Sequence, residues 1–272
     1  MSAFDVETQK IKTTTVGNSR ELGGYPIANG KHVKRGCLLR SGRLADASAE
    51  DLRLLSEGYR VKLVVDFRAD AEAAAMPDPV VTGAQYIRIP VIDEEIFGDT
   101  ASEALVHDDT LKDPIQEMIR IAETRNLDDM YVLVVQSEYG QRGYERFFRE
   151  LINVEDGAVL WHCTAGKDRT GLAAALLLAA LGADWQTILF DFKLTNRFTA
   201  GEIDTVRQEL LARGCSDRLI KAVLSFVGVD GRYLKNAWDS MQRSDGSVIG
   251  YLKNKLHLCD ADFGMLRERY LE

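Results

Sequence analysis

Two short runs of almost unbroken apolar residues, VKLVVDF (61–67) and AVLWHC (158–163), constrain this chain more than any other feature. A strand with one wet face alternates polar and apolar residues. A continuous run fits a strand covered on both faces, as in a parallel sheet between other layers. AQYIRIPV (84–91) is a third strand candidate, and HVKRGCLLRSG (32–42) has a strand-like centre. DASAEDLRLLSEGY (46–59) reads as a short helix capped by Asp46 or Ser48. Helical spacing follows at 111–127, 131–152, 170–181, 184–197, 202–213, 216–226, 231–242 and 260–270, while 92–110 is acidic and irregular and reads as a loop or lid. Strands alternating with helices predict an α/β fold, a mostly parallel central sheet flanked by helices, with a helix-rich C-terminal third. Repeats, low-complexity tracts and Pro/Ser linkers are absent. The expected organisation is one domain over 1–272, with a helical extension from about residue 200.

The 46% apolar and 28% charged residues are those of a globular chain, and the net charge of −8 argues against a nucleic-acid partner. The longest apolar run, Leu172–Ala183, is too short for a bilayer span of roughly 20 residues and reads as a buried helix. The first fifteen residues lack the apolar centre of a secretory signal. Cys37, Cys163, Cys215 and Cys259 have no metal-type spacing, and a chain this long needs no disulfide staples. The expectation is a reduced, cytoplasmic protein without an integral membrane segment, with signal-less export left open. No oligomeric state follows from the sequence.

The chemistry is concentrated in His162-Cys163-Thr164-Ala165-Gly166-Lys167-Asp168-Arg169-Thr170-Gly171. A cysteine stands where a buried strand ends, an arginine follows at the sixth position, and a helix begins. A loop of this length can turn the amides of Thr164 to Arg169 inward, and such a nest at a helix N-terminus binds anions. Arg169 adds a fork of two parallel donors suited to phosphate. The same field favours the thiolate of Cys163, which can attack phosphorus in line and form a phosphocysteine that water hydrolyses. Thr170 can donate to the sulfur and help it leave. Read alone, Cys163 would be a core cysteine; the His, Gly, Arg and Thr around it argue for a nucleophile. A nucleotide-binding phosphate loop is excluded, because no glycine precedes Gly166 at the needed distance and the Lys-[Ser/Thr] pair is missing.

HCTAGKDRTG resembles the Cys-x5-Arg-[Ser/Thr] signature of the protein tyrosine phosphatase superfamily, in the form found in bacterial and fungal tyrosine/dual-specificity phosphatases. NSRELGGY (18–25) resembles the Asn-x-Arg-Asp-x-Gly-Gly-Tyr element of that group, with Glu21 in place of Asp. Arg40-Ser41 and VVDFRADAE (64–72) resemble its Arg-Ser and Asp-[Leu/Phe]-Arg segments. The resemblance implies a phosphoric monoester hydrolase acting on phosphoproteins without metal or cofactor.

Expelling an alkoxide or phenoxide needs a proton donor. No Trp-Pro-Asp is present, and the resemblance to the GKDRT subgroup implies Asp168. Asp66, ending a strand on what can be the same sheet edge, is the second candidate, against an ion pair with Arg68. Asp93 is a third. Lys167 beside Arg169 resembles phosphatases that accept phosphoinositides, against a merely tolerated loop lysine. His162 reads as a support for the loop. Arg20 and Arg40 read as pocket ligands or partners of acids, and Asn196 and Arg197 as distant contributors. The alternatives are a sulfur transferase and a non-catalytic phosphoprotein-binding module.

Overall fold

The computed structural model describes residues 6–92, 113–124 and 127–272. Nearly all of the stretch read as a lid, Asp93 included, lies outside the described residues.

Five strands form one sheet: β1 (Arg20–Glu21), β2 (Leu38–Ser41), β3 (Val61–Asp66), β4 (Gln85–Arg88) and β5 (Ala158–His162), in the order β1-β2-β5-β3-β4. β1 runs antiparallel to β2, and every other pairing is parallel. The apolar run around β5 therefore becomes the central strand. Its alternate residues serve two cores. Val159 and Trp161 join the larger core with α5 (Glu138–Asn153), α6 (Asp168–Leu181) and the C-terminal helices. Ala158 and Leu160 pack on the other face with Ile11, Val16, Leu44 and Leu55. Double-sided burial is what removes the polar alternation.

Twelve helices flank the sheet among the described residues. α1 (Ala49–Arg53) is shorter than the sequence predicts and runs into a π-helical turn at Leu54–Gly58; Ser48 rather than Asp46 caps it, accepting from the Asp51 amide at 3.1 Å. α2 (Asp70–Ala75) follows β3. The two helices expected at 111–127 and 131–152 are three: α3 (Pro114–Thr124), α4 (Leu127–Gln136) and α5. Ser137 interrupts them, its hydroxyl accepting from Gly140 N at 3.0 Å and so starting a new helix.

α6 begins at Asp168, not Thr170, and Arg169 to Leu181 are all buried in it. α7 (Trp185–Phe198), α8 (Ala200–Ala212), α9 (Asp217–Val227) and α10 (Gly231–Asp245) follow. α11 (Val248–Asn254) is absent from the sequence reading, because seven residues behind a Ser-Asp-Gly-Ser turn carry too few helical repeats. α12 (Asp260–Tyr270) is the last helix. Tyr233, Leu234, Tyr251, Phe263 and Leu266 of α10–α12 lie in the same core as Trp161. Residues after α12 pair with the N-terminal region, His32 N donating to Glu272 O at 2.9 Å. Ile119, Val206, Leu210, Ile220 and Val223 of α3, α8 and α9 form a separate small core. No helix among the described residues is long and apolar enough to cross a membrane.

Candidate active site

The parallel register brings Ser41, Asp66 and His162 side by side at the carboxyl ends of β2, β3 and β5. In open α/β sheets that edge is where ligands gather. The chain leaves β5 there, curls through Cys163 to Lys167, and enters α6.

The outside of this loop is tied down by its carbonyls. Thr164 O accepts from Arg43 N at 3.0 Å. Asn18 Nδ2 donates to Ala165 O at 3.2 Å and Gly166 O at 2.9 Å, and Arg40 Nη2 donates to Gly166 O at 2.9 Å. In a trans peptide the N–H points opposite the C=O, so carbonyls held outward leave the following amides facing the loop's interior. Gly166 is required twice over. Its φ of +67° is in the left-handed region, and a Cβ there would run into the Ser41 carbonyl.

Asn18 is itself held. Arg20 Nη1 donates to its Oδ1 at 2.6 Å, and Arg20 Nε to Asp191 at 3.0 Å. Arg40 and Tyr25 bond the same Asp191 carboxylate. Arg20 and Arg40 thus pair with a buried acid on α7 and act as struts behind the loop. Asn196 brackets Val229 through both its amide atoms, at 2.9 and 2.8 Å, and Arg197 is exposed; neither reaches the loop by these contacts.

Arg169 lies in the first turn of α6 and meets Glu72 of α2 in a two-pronged ion pair, Nη2 to Oε1 being 2.8 Å. Thr164 Oγ1 donates to the same carboxylate. Burial pushes the Glu72 carboxyl up, but Arg169 and Thr164 outweigh it and hold it at about 2. Burial pulls the Arg169 guanidinium down, and Glu72 more than restores it. Both charges are therefore permanent at neutral pH. Cys163 is 2% exposed, and the Thr170 hydroxyl is buried without a hydrogen-bond partner among the described residues.

The two candidate proton donors have different surroundings. Asp66 is fully buried and saturated. It accepts from Arg68 N at 2.9 Å, from the Arg68 guanidinium at 2.8–3.0 Å and from Tyr86 OH at 2.6 Å. Burial raises its carboxyl, but His162 and Arg68 overcome this and bring it to about 2. The ion pair with Arg68 that the sequence offers as the other reading of Asp66 is present, and it favours the ionised carboxylate. Asp168 is partly exposed and accepts from Tyr131 OH of α4.

His162 sits between Asp66 and Asp78. Its Nδ1 is 3.2 Å from Cys163 O, and its Nε2 is 3.1 Å from Asp78. Burial lowers the imidazole, while Asp66 and Asp78 together raise it above its ordinary value. Asp66, Asp78 and His162 present ligand atoms within 4.8 Å of one another. Arg68 Nη2 already bridges both carboxylates, at 2.8 and 2.6 Å, so the cluster carries its own cation.

Lys167 is buried, so it is not the solvated loop lysine that is one of its two readings from the sequence. Its ammonium donates to Phe226 O, lies 3.4 Å from Gly228 O and sits 4.9 Å over the Phe226 ring. It is docked on the C-terminal end of α9, where a helix attracts positive charge.

A strand-ended cysteine, a loop tethered by its carbonyls and an arginine fork fixed in the first turn of α6 stand together at this sheet edge. The chain matches the family model described as the tyrosine phosphatase family over residues 11–272. A Cupriavidus necator protein named among the tyrosine-protein phosphatases is 32% identical over 260 residues, covering 94% of this chain and 86% of that one. Triple specificity protein phosphatase PtpB of Mycobacterium tuberculosis is 28% identical over 247 residues, 82% of this chain and 86% of its own. A tyrosine-protein phosphatase of Nostoc commune is 31% identical over 163 residues, 59% of this chain and 48% of its own. The chain belongs to the tyrosine phosphatase family, and it is a phosphatase.

Glu72, Asp191 and Tyr131 escaped the sequence reading. Glu72 had a faint signal, three residues after the N-cap position Ala69 of α2. Its Oε2 accepts from Ala69 N at 2.9 Å as in a capping box, but Ala69 lacks the reciprocal hydroxyl that would have marked one. Asp191 had another, a carboxylate on the same helical face as Ile188, Phe192 and Thr195. Tyr131 had none.

Proposed function

We propose that the protein hydrolyses phosphate monoesters through a phosphocysteine at Cys163. The amides of the 164–169 loop and the Arg169 fork bind the phosphoryl oxygens. Cys163 Sγ attacks phosphorus as the bond to the leaving oxygen breaks, and Asp168 protonates that oxygen. In the second step Asp168, now a carboxylate, takes a proton from water as the water attacks phosphorus. Thr170 donates to the departing sulfur. The observation that carries this reading is the Arg169–Glu72 pair beside the tethered loop, a charge geometry that pre-forms a dianion site. The reading takes residues 1–272 as one phosphatase unit and a phosphoprotein as substrate, through phosphotyrosine and also phosphoserine or phosphothreonine. Phosphoinositides are included as a second class. For them Lys167 would have to exchange the Phe226 carbonyl for a second phosphate.

The decisive experiment is p-nitrophenyl phosphate turnover in EDTA by the parent and by Cys163→Ser. Turnover that persists in EDTA and is abolished by the substitution is expected; turnover that needs added metal, or survives the substitution, would overturn the mechanism. A panel of phosphopeptides and phosphoinositides then tests the substrate classes, and a panel in which only phosphotyrosine peptides turn over would remove the lipid class.

A further inference from the structure

Resting on the reading of Asp168 as the proton donor, the geometry points to Tyr131 as the residue that positions this acid and stabilises the carboxylate it becomes. Tyr131 is buried on α4, far from the loop in sequence, and its hydroxyl donates to Asp168 Oδ1. Its ring is fixed from two sides: Phe192 of α7 meets it edge-on with centroids 5.9 Å apart, and Tyr233 of α10 lies 5.7 Å away. Three helices therefore set where the hydroxyl stands. Burial and the neighbouring Asp168 push the Tyr131 hydroxyl well above its ordinary value, so it remains a donor at any working pH.

The consequence for Asp168 is a division of labour between its two oxygens. Oδ1 is occupied by Tyr131. Oδ2 makes no hydrogen bond among the described residues and lies 3.7 Å from the Lys167 ammonium, which is turned toward Phe226 and Gly228. The transferable proton sits on Oδ2. During attack, the sulfur–phosphorus bond forms and the phosphorus–oxygen bond breaks. Its electron pair goes to the leaving oxygen, which takes the Oδ2 proton, and Asp168 is left anionic. A hydrogen bond to an ionised acceptor is stronger than one to a neutral acid. The Tyr131 bond therefore tightens as the proton departs, so it stabilises the transition state more than the bound substrate.

The test compares phenyl phosphate, a poor leaving group, with 2,4-dinitrophenyl phosphate, a good one, in the parent, Tyr131→Phe, Asp168→Asn and the double variant. The ratio of the two rates does not depend on the folded fraction, and Phe keeps the ring packing. Tyr131→Phe should lower the phenyl-to-dinitrophenyl ratio about tenfold, and should lower it no further in the Asp168→Asn background. A ratio unchanged by Tyr131→Phe, or lowered as much in the double variant as in the single, would overturn the role of Tyr131 while leaving Asp168 as the acid. If Asp168→Asn itself leaves the ratio unchanged, the acid is not Asp168, and the role of Tyr131 falls with it.

Discussion

Arg169 keeps its fork in place because Glu72 holds the back of it. A guanidinium without that carboxylate would stay charged but lose one fixed orientation, and orientation is what a bidentate phosphate clamp depends on. Glu72→Gln should lower kcat/KM on p-nitrophenyl phosphate by roughly 10–100-fold, the loss of a charge-assisted hydrogen bond, with inhibition by inorganic phosphate weakened in parallel; an unchanged phosphate affinity would count against this role. The same pair sets a pH dependence. The folded carboxyl is held at about 2, below its unfolded value of about 4.5, so the unfolded state binds more protons between them. The stabilisation is therefore complete above pH ~4.5 and fades as the pH falls toward 2. Urea unfolding of the parent should weaken across that window, and the Gln variant should show a shallower slope there. The strand–loop–helix turn itself was legible in the sequence, because Cys163 and Arg169 lie close together in the chain. Glu72 and Tyr131 act across 97 and 37 positions, and no local pattern encodes a partner that only the fold delivers.

Asp191 joins three pieces of the structure that are far apart in the chain. From α7 it reaches Arg20 of β1 and Arg40 of β2, and both of those arginines reach the loop carbonyls, one through Asn18. All three charges are buried. Removing one partner from such a group strands the others, at a cost of about 3–5 kcal/mol. Asp191→Asn, nearly the same in shape, should lower the unfolding free energy by that amount, read from urea unfolding, and lower activity in the surviving folded fraction. A variant as stable as the parent would mean that Tyr25 and the Asn18 carbonyl suffice for both cations. Strand identity was readable here from apolar runs, since burial on both faces leaves a mark in composition. Helix boundaries were less so, because a single serine hydroxyl at Ser137 or Ser247 decides where a helix begins, and periodicity averages over it.

The molecule divides its apolar packing unequally. The large core runs from the sheet through α4–α7 to α10–α12, while α3, α8 and α9 share only the small one. Small satellite cores open at lower free energy than the main body. Lys167 is the loop's tie to this region, through the carbonyls that end α9. Hydrogen exchange should therefore be faster in α8 and α9 than in β5 and α6. Lys167→Met should accelerate α9 selectively; equal protection of α9 in both proteins would show that the ammonium does not hold it. Separate cores of this kind leave no compositional signature, since Val206, Leu210 and Val223 read like any amphipathic helix residues.

The near-complete burial of Cys163 makes its sulfur a clock. An alkylating reagent in solution meets Cys259 on the surface and the half-buried Cys37 and Cys215 long before it meets a thiol that is 2% exposed. The order and rates of labelling across the four cysteines thus separate reagent access from intrinsic reactivity. If the proposed cradle is the phosphate site, the delay at Cys163 should lengthen when inorganic phosphate is added, and alkylation rates with and without phosphate measure it.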